Sequence, residues 1–416
     1  MREMKDSGIA WVGDVPSNWD VHPLYYFFQE HKHKNALGTE QNLLSLSYGK
    51  IIRKDINTTE GLLPENFNTY NIIEENDIVL RLTDLQNDKR SLRTGIARER
   101  GIITSAYVTL RSIRSLCPSY FHYLLHTYDL LKVLYNMGSG VRQGLNYEEL
   151  SKVKLIEPPL DEQQKIAYFL DRKCAEIDGL IADIQAQIDT LEQHKKSTII
   201  EVVTKGLNPD VPMKDSGIQW IGKIPQMWNC IRGKYILQYI SKPTREDDGV
   251  ITCFRDGEVT LRSKRREDGF TMADKEIGYQ GIDVGDLVVH GMDGFAGAIG
   301  ISDSRGKASP VLNVLETKQN KRYIMYFLRS MAYGDVFMAL ATGIRVRSCD
   351  LRWNKLAELF YPVPPIEEQN AIVEYVDRII SETNAVIAAK KEQISTLEAY
   401  KKSVIFEYVT GKKEVV

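Results

Sequence analysis

The chain has 416 residues, of which 43% are hydrophobic and 26% are charged, and its formal net charge is −2. This composition is close to that of average globular proteins, which excludes collagen-like and low-complexity disordered proteins. No run of 18 apolar residues occurs, and the first residues lack the apolar stretch of a signal peptide. We therefore expect no membrane span and a cytoplasmic location.

The N-terminal segment recurs later in the chain. Residues 4–19 and 213–228 are identical at ten of sixteen positions, including both tryptophans and the proline of a Trp-Pro-Trp pattern. Residues 158–204 and 364–410 align without a gap and share 22 identities in 47 positions. This repetition predicts a tandem duplication, in which each copy is a variable globular part followed by a better-matched tail.

The two globular parts, residues 1–157 and 213–361, are predicted to be mixed and β-rich. Short apolar runs such as residues 77–80 are separated by Gly, Asn and Asp, which is typical of short strands and turns. One stretch in each part, residues 120–135 and 323–340, has apolar residues at helical spacing. Each globular part is thus expected to carry one main helix.

The two tails, residues 158–206 and 362–411, are each predicted to form one long helix. Pro-Pro precedes each helix, and acidic residues follow in the first turn, where the helix dipole favours them. Apolar residues then recur in alternating steps of four and three, as in a coiled coil. The predicted helix-pair interface consists of Leu170, Ile177, Ile181, Ile184, Ile188, Leu191, Val376, Ile380, Ile387, Ile394 and Leu397.

These helices allow two arrangements. They are either separate dimerisation arms or an intramolecular pair, and the second is favoured because one helix leads the chain away and its copy can lead it back. The fold prediction is therefore α+β. It comprises two mixed, β-rich domains separated by an antiparallel pair of long coiled-coil helices, related by an internal pseudo-two-fold axis.

Motifs of common enzymes are missing from the sequence. It contains no Walker A sequence, no GxGxxG and no (Asn/Asp)-Pro-Pro-(Tyr/Phe) sequence of amino-methyltransferases. His122 and His126 have the i, i+4 spacing of helical metal ligands but no third ligand nearby, so packing is the expected role. Five cysteines without close spacing indicate free thiols. We predict a chain that is not an enzyme and holds no metal or cofactor of its own.

Positive charge is concentrated in the globular parts. Their net charges are 0 and +4, whereas residues 158–212 and 362–416 carry −4 and −2. Clustered Lys and Arg can neutralise phosphates, and Arg, Gln and Asn can read base edges. A solvated mixed-charge surface, or glycines that only turn the chain, are the alternatives. The candidate DNA-binding residues are Arg81, Lys89, Arg90, Arg93, Arg142, Gln143, Asn146, Arg262, Lys264, Arg265, Arg345 and Arg347.

The duplicated motifs resemble those of one known family. Pro-Pro-Leu-Asp-Glu-Gln-Gln at 158–164 and Pro-Pro-Ile-Glu-Glu-Gln at 364–369 each start a long helix that follows a variable domain. With the repeated Trp-Pro-Trp segment, this order resembles the specificity subunit of type I restriction-modification enzymes over essentially the whole chain. The family's recognition residues vary with the target, so no base contact transfers by motif.

The resemblance implies partners and a division of labour. Two target recognition domains would each read half of a split double-stranded DNA sequence in the major groove. The helix pair would set the gap between the half-sites and dock two methyltransferase subunits, which carry S-adenosylmethionine and methylate adenine N6. Restriction (translocase-nuclease) subunits would join that core. Because the two domains differ in sequence, we expect an asymmetric target.

Two other functions remain alternatives from the sequence. A self-contained methyltransferase-nuclease is disfavoured by the missing motifs. A coiled-coil adaptor that does not bind DNA is disfavoured by the basic clusters and the β-rich variable parts.

Overall fold

The computed structural model describes residues 2–57, 66–85, 92–137, 144–265, 277–340 and 351–415. The chain divides into two compact units. Residues 1–184 and 392–416 form the first unit, and residues 185–391 form the second. Each long helix is therefore divided between the units.

Short strands dominate the globular part of the first unit, because β-favouring runs of three to five residues are interrupted by turn-forming residues. The strands are β1 (Met4–Asp6), β2 (Asp14–Pro16), β3 (Asp20–Pro23), β4 (Phe28–Glu30), β5 (Leu44–Ser47), β6 (Lys50–Arg53), β7 (Asn71–Ile73), β8 (Ile78–Leu80), β9 (Thr94–Ile96), β10 (Gly101–Ile103), β11 (Val108–Ser112) and β12 (Lys154–Glu157).

These strands pair antiparallel around one four-stranded sheet, in the order β4–β11–β8–β9. Strand β8 lies inside this sheet, with Ile78 opposite both Leu110 and Ile96. All three β8 residues are fully buried, which explains the uninterrupted apolar run in the sequence. Two-stranded sheets β1–β2, β3–β12, β5–β6 and β7–β10 complete the described part of this unit.

The second unit has the same strand topology. Its strands are β13 (Met213–Asp215), β14 (Lys223–Pro225), β15 (Asn229–Arg232), β16 (Leu237–Ile240), β17 (Ile251–Cys253), β18 (Val259–Leu261), β19 (Gln280–Ile282), β20 (Leu287–His290), β21 (Ile299–Ile301), β22 (Gly306–Ala308), β23 (Leu312–Thr317) and β24 (Phe360–Val363). The central sheet has the order β16–β23–β20–β21, and the pairs are β13–β14, β15–β24, β17–β18 and β19–β22. The described sheets of the two units therefore correspond one to one.

The structure contains the two long helices and the two main helices that the sequence predicted, together with several short ones. The α-helices are α1 (Pro118–Leu130), α2 (Tyr147–Leu150), α3 (Leu160–Lys205), α4 (Gly233–Ile236), α5 (Arg262–Arg265), α6 (Lys321–Tyr333), α7 (Val336–Ala339), α8 (Trp353–Glu358) and α9 (Ile366–Val409), with 3-10 turns at Leu24–Tyr26, Val133–Asn136 and Gly294–Ala296. No helix among the described residues combines the length and apolar character needed to cross a membrane.

The main helix of each globular part ends earlier than its apolar pattern suggested. Helix α1 ends at Leu130 and α6 ends at Tyr333. Just beyond, Lys132 and Asp335 have φ of 57° and 55°. A left-handed residue cannot continue a right-handed helix, so a separate short helical turn follows in each unit. The periodicity was right, but it spanned two elements.

Helices α3 and α9 run antiparallel within each unit. In the first unit the ring centroids of Phe169 and Tyr408 are 4.3 Å apart, and Lys401 Nζ donates to Asp178 at 2.6 Å. In the second unit Lys390 Nζ donates to Gln187 and Lys195 Nζ to Asn384. The eleven residues predicted from the heptads are all buried or half-buried.

A buried tryptophan fastens each globular part to the start of a long helix. Trp19 is fully buried, and its indole Nε1 donates to Glu162 Oε2 at 2.9 Å. Trp228 donates to Glu368 Oε2 at 2.8 Å in the same way. The glutamates are those of the duplicated Pro-Pro motif, so that motif has a structural role. We call each pair an indole clasp.

The glutamine that follows each clasp glutamate fixes the main helix of the globular part. Gln163 accepts from the backbone N–H of Cys117, just before α1, at 2.9 Å, and donates to the Pro158 carbonyl. Gln369 makes the same pair of bonds, accepting from Asn320 before α6 and donating to Pro364. Both glutamine side chains are buried with their polar atoms paired, which satisfies groups that would otherwise destabilise the interior.

The main helix of each unit also contacts the end of a long helix. The buried hydroxyl of Tyr120 donates to the Val409 carbonyl at the end of α9, and that of Tyr323 donates to the Val203 carbonyl near the end of α3. Each globular part is therefore fixed to the start of one long helix and to the end of the other.

Removal of the glutamate from an indole clasp should destabilise the unit that contains it. Replacing Glu368 with Ala leaves the buried indole N–H of Trp228 without an acceptor, which we expect to cost about 1–3 kcal/mol of stability. Thermal unfolding should show this loss, and hydrogen exchange should place it in the second unit. Glu367→Ala, a change at the exposed neighbour, is the control. Equal destabilisation by the two substitutions would contradict a specific role for the clasp.

Candidate DNA-recognition surfaces

Arg93 was predicted to contact DNA, but the structure buries it, so this prediction is wrong. Arg93 is only 1% exposed. Its guanidinium donates to the backbone carbonyls of Arg81, Thr83 and Asp84 and to the hydroxyl of Tyr135. A guanidinium that already serves these acceptors inside the protein cannot reach a phosphate. Arg93 instead holds the segment that carries Arg81, a half-buried residue.

Several candidates from the sequence lie outside the described residues. They are Lys89, Arg90, Arg142, Gln143, Arg345 and Arg347. Asn146 is described and exposed, and it is the N-cap of α2. Its side-chain oxygen accepts from the Glu149 N–H at 2.9 Å, while Glu149 accepts from the Asn146 N–H. Adenine readout by Asn146 would require this capping box to open.

The compact basic run of the second unit forms α5 at the edge of the β17–β18 hairpin. Arg262 donates to Thr252 Oγ1 at 2.9 Å, and Lys264 to Ser304 Oγ at 2.6 Å. The Arg265 guanidinium lies 4.0 Å from the Phe254 ring centroid and forms ion pairs with two hairpin carboxylates. Exposed ion pairs of this kind are worth about 0–1 kcal/mol, so phosphates can compete for these cations.

An open groove of about 640 Å³ lies beside this helix. Arg262 and Arg265 line it together with Thr252, Arg255 and His290. Arg255 lies at the tip of the β17–β18 hairpin, and its side chain is 68% exposed. Arginine and hydroxyl groups on a projecting hairpin, with the imidazole of His290 from β20 beside them, are suited to contact phosphates and base edges. This groove is the best-formed candidate DNA surface of the second unit.

The hydrogen bonds of His290 favour one protonation state of its imidazole. Its Nδ1 accepts from the backbone N–H groups of Met292 and Asp293, at 3.2 and 2.9 Å. Burial also lowers the pKa of His290 from its usual value. We infer from this bonding a neutral ring with the hydrogen on Nε2, which makes His290 a hydrogen-bond donor at the groove.

Thr252, Arg255 and His290 were not identified from the sequence. The signal for Arg255 was present, because Asp256-Gly257 is a turn pair between two apolar runs and marks a projecting hairpin. The other two had no signal, since a single Thr or His in a strand gives no indication of what it will face.

Some basic residues elsewhere in the second unit form ion pairs within the protein. Arg305 donates to both Asp248 and Asp283, and Lys242 donates to Asp283 and Asp286. The hydrogen bond from Lys242, followed by that from Arg305, lowers the pKa of Asp283 to about 2. This network ties β19, β20 and the loop before β17 together. The positive charge counted along the sequence therefore overstates the charge at the surface.

The first unit presents a different hairpin tip. The turn between β5 and β6 is Tyr48-Gly49, with φ of 46° and 78°, as in the tight hairpin turns that favour glycine. Tyr48 is 82% exposed, and Lys50 beside it is also exposed. The corresponding tip of the second unit carries Arg255. The two units thus present different chemistry on the same element.

His122 and His126 lie on α1 and line a cavity together with residues of the β5–β6 hairpin and of both long helices. Burial lowers the pKa of His122 to about 3, with His126 and Arg98 adding to the effect. Burial and the charge of Lys401 lower the pKa of His126 to about 4. Within the described ranges, no three His, Cys, Asp or Glu side chains are grouped to hold a metal ion.

Comparison with known proteins identifies a family that this chain resembles. A family model described as the type I restriction modification DNA specificity domain matches residues 16–201. The type I restriction enzyme MjaVIII specificity subunit of Methanocaldococcus jannaschii is 25% identical over 427 residues, which cover 96% of this chain and 94% of that protein. These matches confirm the resemblance drawn from the sequence.

Solved structures show the same fold. A chain from work on complex assembly and conformational transition of the type I R-M system aligns with a TM-score of 0.67 at 15% identity, covering 96% of this chain and 99% of that one. The HsdS subunit from Thermoanaerobacter tengcongensis aligns with a TM-score of 0.50 at 13% identity, over 96% and 98% of the chains. At such low identity the likeness concerns the fold.

His122 and His126 predict a pH dependence of stability in the first unit. An unfolded histidine binds a proton below about pH 6.5, whereas His122 and His126 resist protonation in the folded protein. Stability should therefore fall as the pH decreases from about 6.5 towards 4, by at most about 1.4 kcal/mol per pH unit for each histidine.

His122→Met, which introduces the residue found at the aligned position 325, should weaken this dependence. Thermal unfolding at a series of pH values, with hydrogen exchange to locate the change, measures it. The same pH slope in the variant and the parent protein would exclude His122 as a cause.

Proposed function

From the type I restriction modification DNA specificity domain in residues 16–201, we propose that this chain is the DNA sequence-recognition subunit of a cytoplasmic type I restriction-modification enzyme. The family match is the observation that carries the proposal. It is supported by full-length similarity to a specificity subunit and by basic, exposed hairpin residues beside a groove. The chain contributes recognition and relies on partner subunits for catalysis.

The target in this proposal is bipartite and asymmetric. Two β-rich recognition domains, each fixed to both long helices by an indole clasp and a tyrosine, read one half-site each about a pseudo-two-fold axis. The shared strand topology of the units supports equivalent roles. Their different hairpin tips, Tyr48-Gly49 and Arg255-Asp256-Gly257, support different half-sites.

The proposed partners are double-stranded DNA and two methyltransferase subunits, with restriction subunits joined through the methyltransferase core. S-adenosylmethionine would be bound by the methyltransferase subunits. The duplicated, antiparallel helices offer two equivalent surfaces, which matches two copies of one partner.

Co-expression with the partner methyltransferase, followed by mapping of methylated adenines, tests the function. We expect two different half-sites separated by a spacer of unspecified bases. A continuous palindrome would contradict the bipartite proposal. Methyl transfer by the purified chain alone would instead support a self-contained enzyme.

Arg255 provides a test at residue level. Replacing it with Ala should relax specificity in one half-site only, by about 1–3 kcal/mol, if its guanidinium reads a base. Lys50→Ala, at the corresponding hairpin of the first unit, should leave the specificity for the half-site that Arg255 contacts unchanged. Methylation mapping and binding to single-base variants of the target measure both effects. An equal loss on all sequences would make Arg255 a phosphate contact.

The long helices are proposed to set the spacer length. Deleting one heptad from each, residues 185–191 and 387–393, shortens both by about 10 Å and keeps the alternation of seam residues. The spacer should shrink by about three base pairs, at about 3.4 Å per base pair. Mapping of the methylated motif reads this out. A methylated motif with the original spacer would refute the ruler function.

A further inference from the structure

The second unit contains a cavity that DNA recognition does not explain. It has a volume of about 810 Å³, and its walls come from α3, α6, α9 and the tip of the β17–β18 hairpin. Arg329 and Tyr333 of α6 face Lys196 of α3 across it. We call it the α6 cavity. Its volume lies in the range of sites for small organic ligands.

The first unit has a smaller cavity, of about 340 Å³, at the aligned position. Hairpin, main helix and long helices again provide the walls, so the location is a property of the fold. Five wall positions of the α6 cavity correspond to wall positions of this second cavity. The aligned pairs are Lys195 and Lys401, Ile199 and Ile405, Asn384 and Asp178, Arg329 and His126, and Ile380 and Cys174.

The charges of the α6 cavity are not balanced. The Lys196 ammonium and the Arg329 guanidinium lie 5.9 and 5.6 Å from the centroid of the same Tyr333 ring. Arg329 donates to the Asp256 carbonyl, but among the described residues neither cation forms an ion pair. The Asp256 carboxylate is close enough for the charge of Arg329 to contribute to lowering its pKa, but it does not pair with either cation.

The other charged groups of these walls are already engaged or lie at the edge. Glu192 pairs with Lys195 at 2.8 Å, and Asp256 pairs with Arg265 at 2.7 Å. Arg255 pairs with Asp293 outside the cavity. Asp335 is exposed at the end of α6. An anion that enters the cavity would thus meet Lys196 and Arg329 without displacing a carboxylate.

The first-unit cavity lacks this pair of cations. His126 replaces Arg329 and is held neutral, and Leu130 stands at the position of Tyr333. Lys401 and Lys50 there both lie within ion-pair distance of Asp178. The three cations that line the first-unit cavity, Lys50, Arg98 and Lys401, all lie within ion-pair distance of a carboxylate. Among the described residues, Lys196 and Arg329 of the α6 cavity do not.

We propose that the α6 cavity binds a small organic phosphate. A phosphate monoester carries about −1.5 to −2 charges near neutral pH, which matches Lys196 and Arg329. Ile199, Phe295 and Ile380 supply an apolar wall, where an organic body larger than phosphate alone can be buried. The cavity adjoins the DNA groove and shares Arg255 and Asp256 with it, whereas Lys196 and Arg329 line only the cavity.

Calorimetric titration of the full chain with AMP tests the proposal. We expect binding, and we expect adenosine and inorganic phosphate each to bind at least about 10-fold more weakly, because each lacks half of the recognised chemistry. Lys196→Met and Arg329→Met should each weaken AMP about 10-fold or more, since a charge-assisted hydrogen bond contributes about 1.5–3 kcal/mol.

Lys402→Met is the matched control, because Lys402 occupies the aligned position on α9, and it should bind AMP like the parent protein. Thermal unfolding without ligand identifies a variant that fails to fold; if Arg329→Met does, Lys196→Met, a change on a helix surface, keeps the test decisive. Absence of AMP binding to the parent protein, equal binding by Lys196→Met, or displacement of AMP by duplex DNA would each overturn the proposal. Methylation mapping reports on DNA recognition independently of these results.

Discussion

The hydrogen bond between a buried indole and the first-turn glutamate of a long helix is the constraint on which both units depend. A buried tryptophan N–H needs an acceptor, and the dipole of the helix favours a carboxylate at its N-terminus. Trp19 with Glu162, and Trp228 with Glu368, satisfy both needs at once. The neighbouring glutamine and the tyrosine of the main helix complete the attachment, so the strand-rich parts are held on the helices by polar bonds inside an apolar core.

This attachment separates scaffold from surface. The motif residues are engaged in internal bonds that recur in both units, whereas the residues at the hairpin tips differ between the units. Tyr48 projects in one unit and Arg255 in the other. The cavities show the same division, because their positions coincide while their linings differ, with His126 in one unit at the position of Arg329 in the other. A duplicated scaffold can thereby present two different recognition surfaces and, in our proposal, one additional ligand site.

The charge pattern was the least informative part of the sequence. A run of Lys and Arg does not show which cations will meet carboxylates or carbonyls contributed from distant positions. Arg93 illustrates this, because its enclosed guanidinium donates to four groups that lie up to 42 residues away in the sequence. Arg305 is likewise paired with Asp248 and Asp283. The compact run at Arg262–Arg265, by contrast, does lie at a surface groove.

The sequence by itself determined the repeat, the two long helices and their seam, because these follow from local periodicity and from identities that need no knowledge of folding. It also identified the Pro-Pro-x-x-Glu-Gln motif and the tryptophans, although not that they bond to each other. Only the tertiary structure decided which cations remain at the surface, where the main helices stop, and that one unit has a cavity in which Lys196 and Arg329 form no ion pair with the described residues. These features depend on contacts between residues far apart in the chain, and no local pattern encodes such contacts.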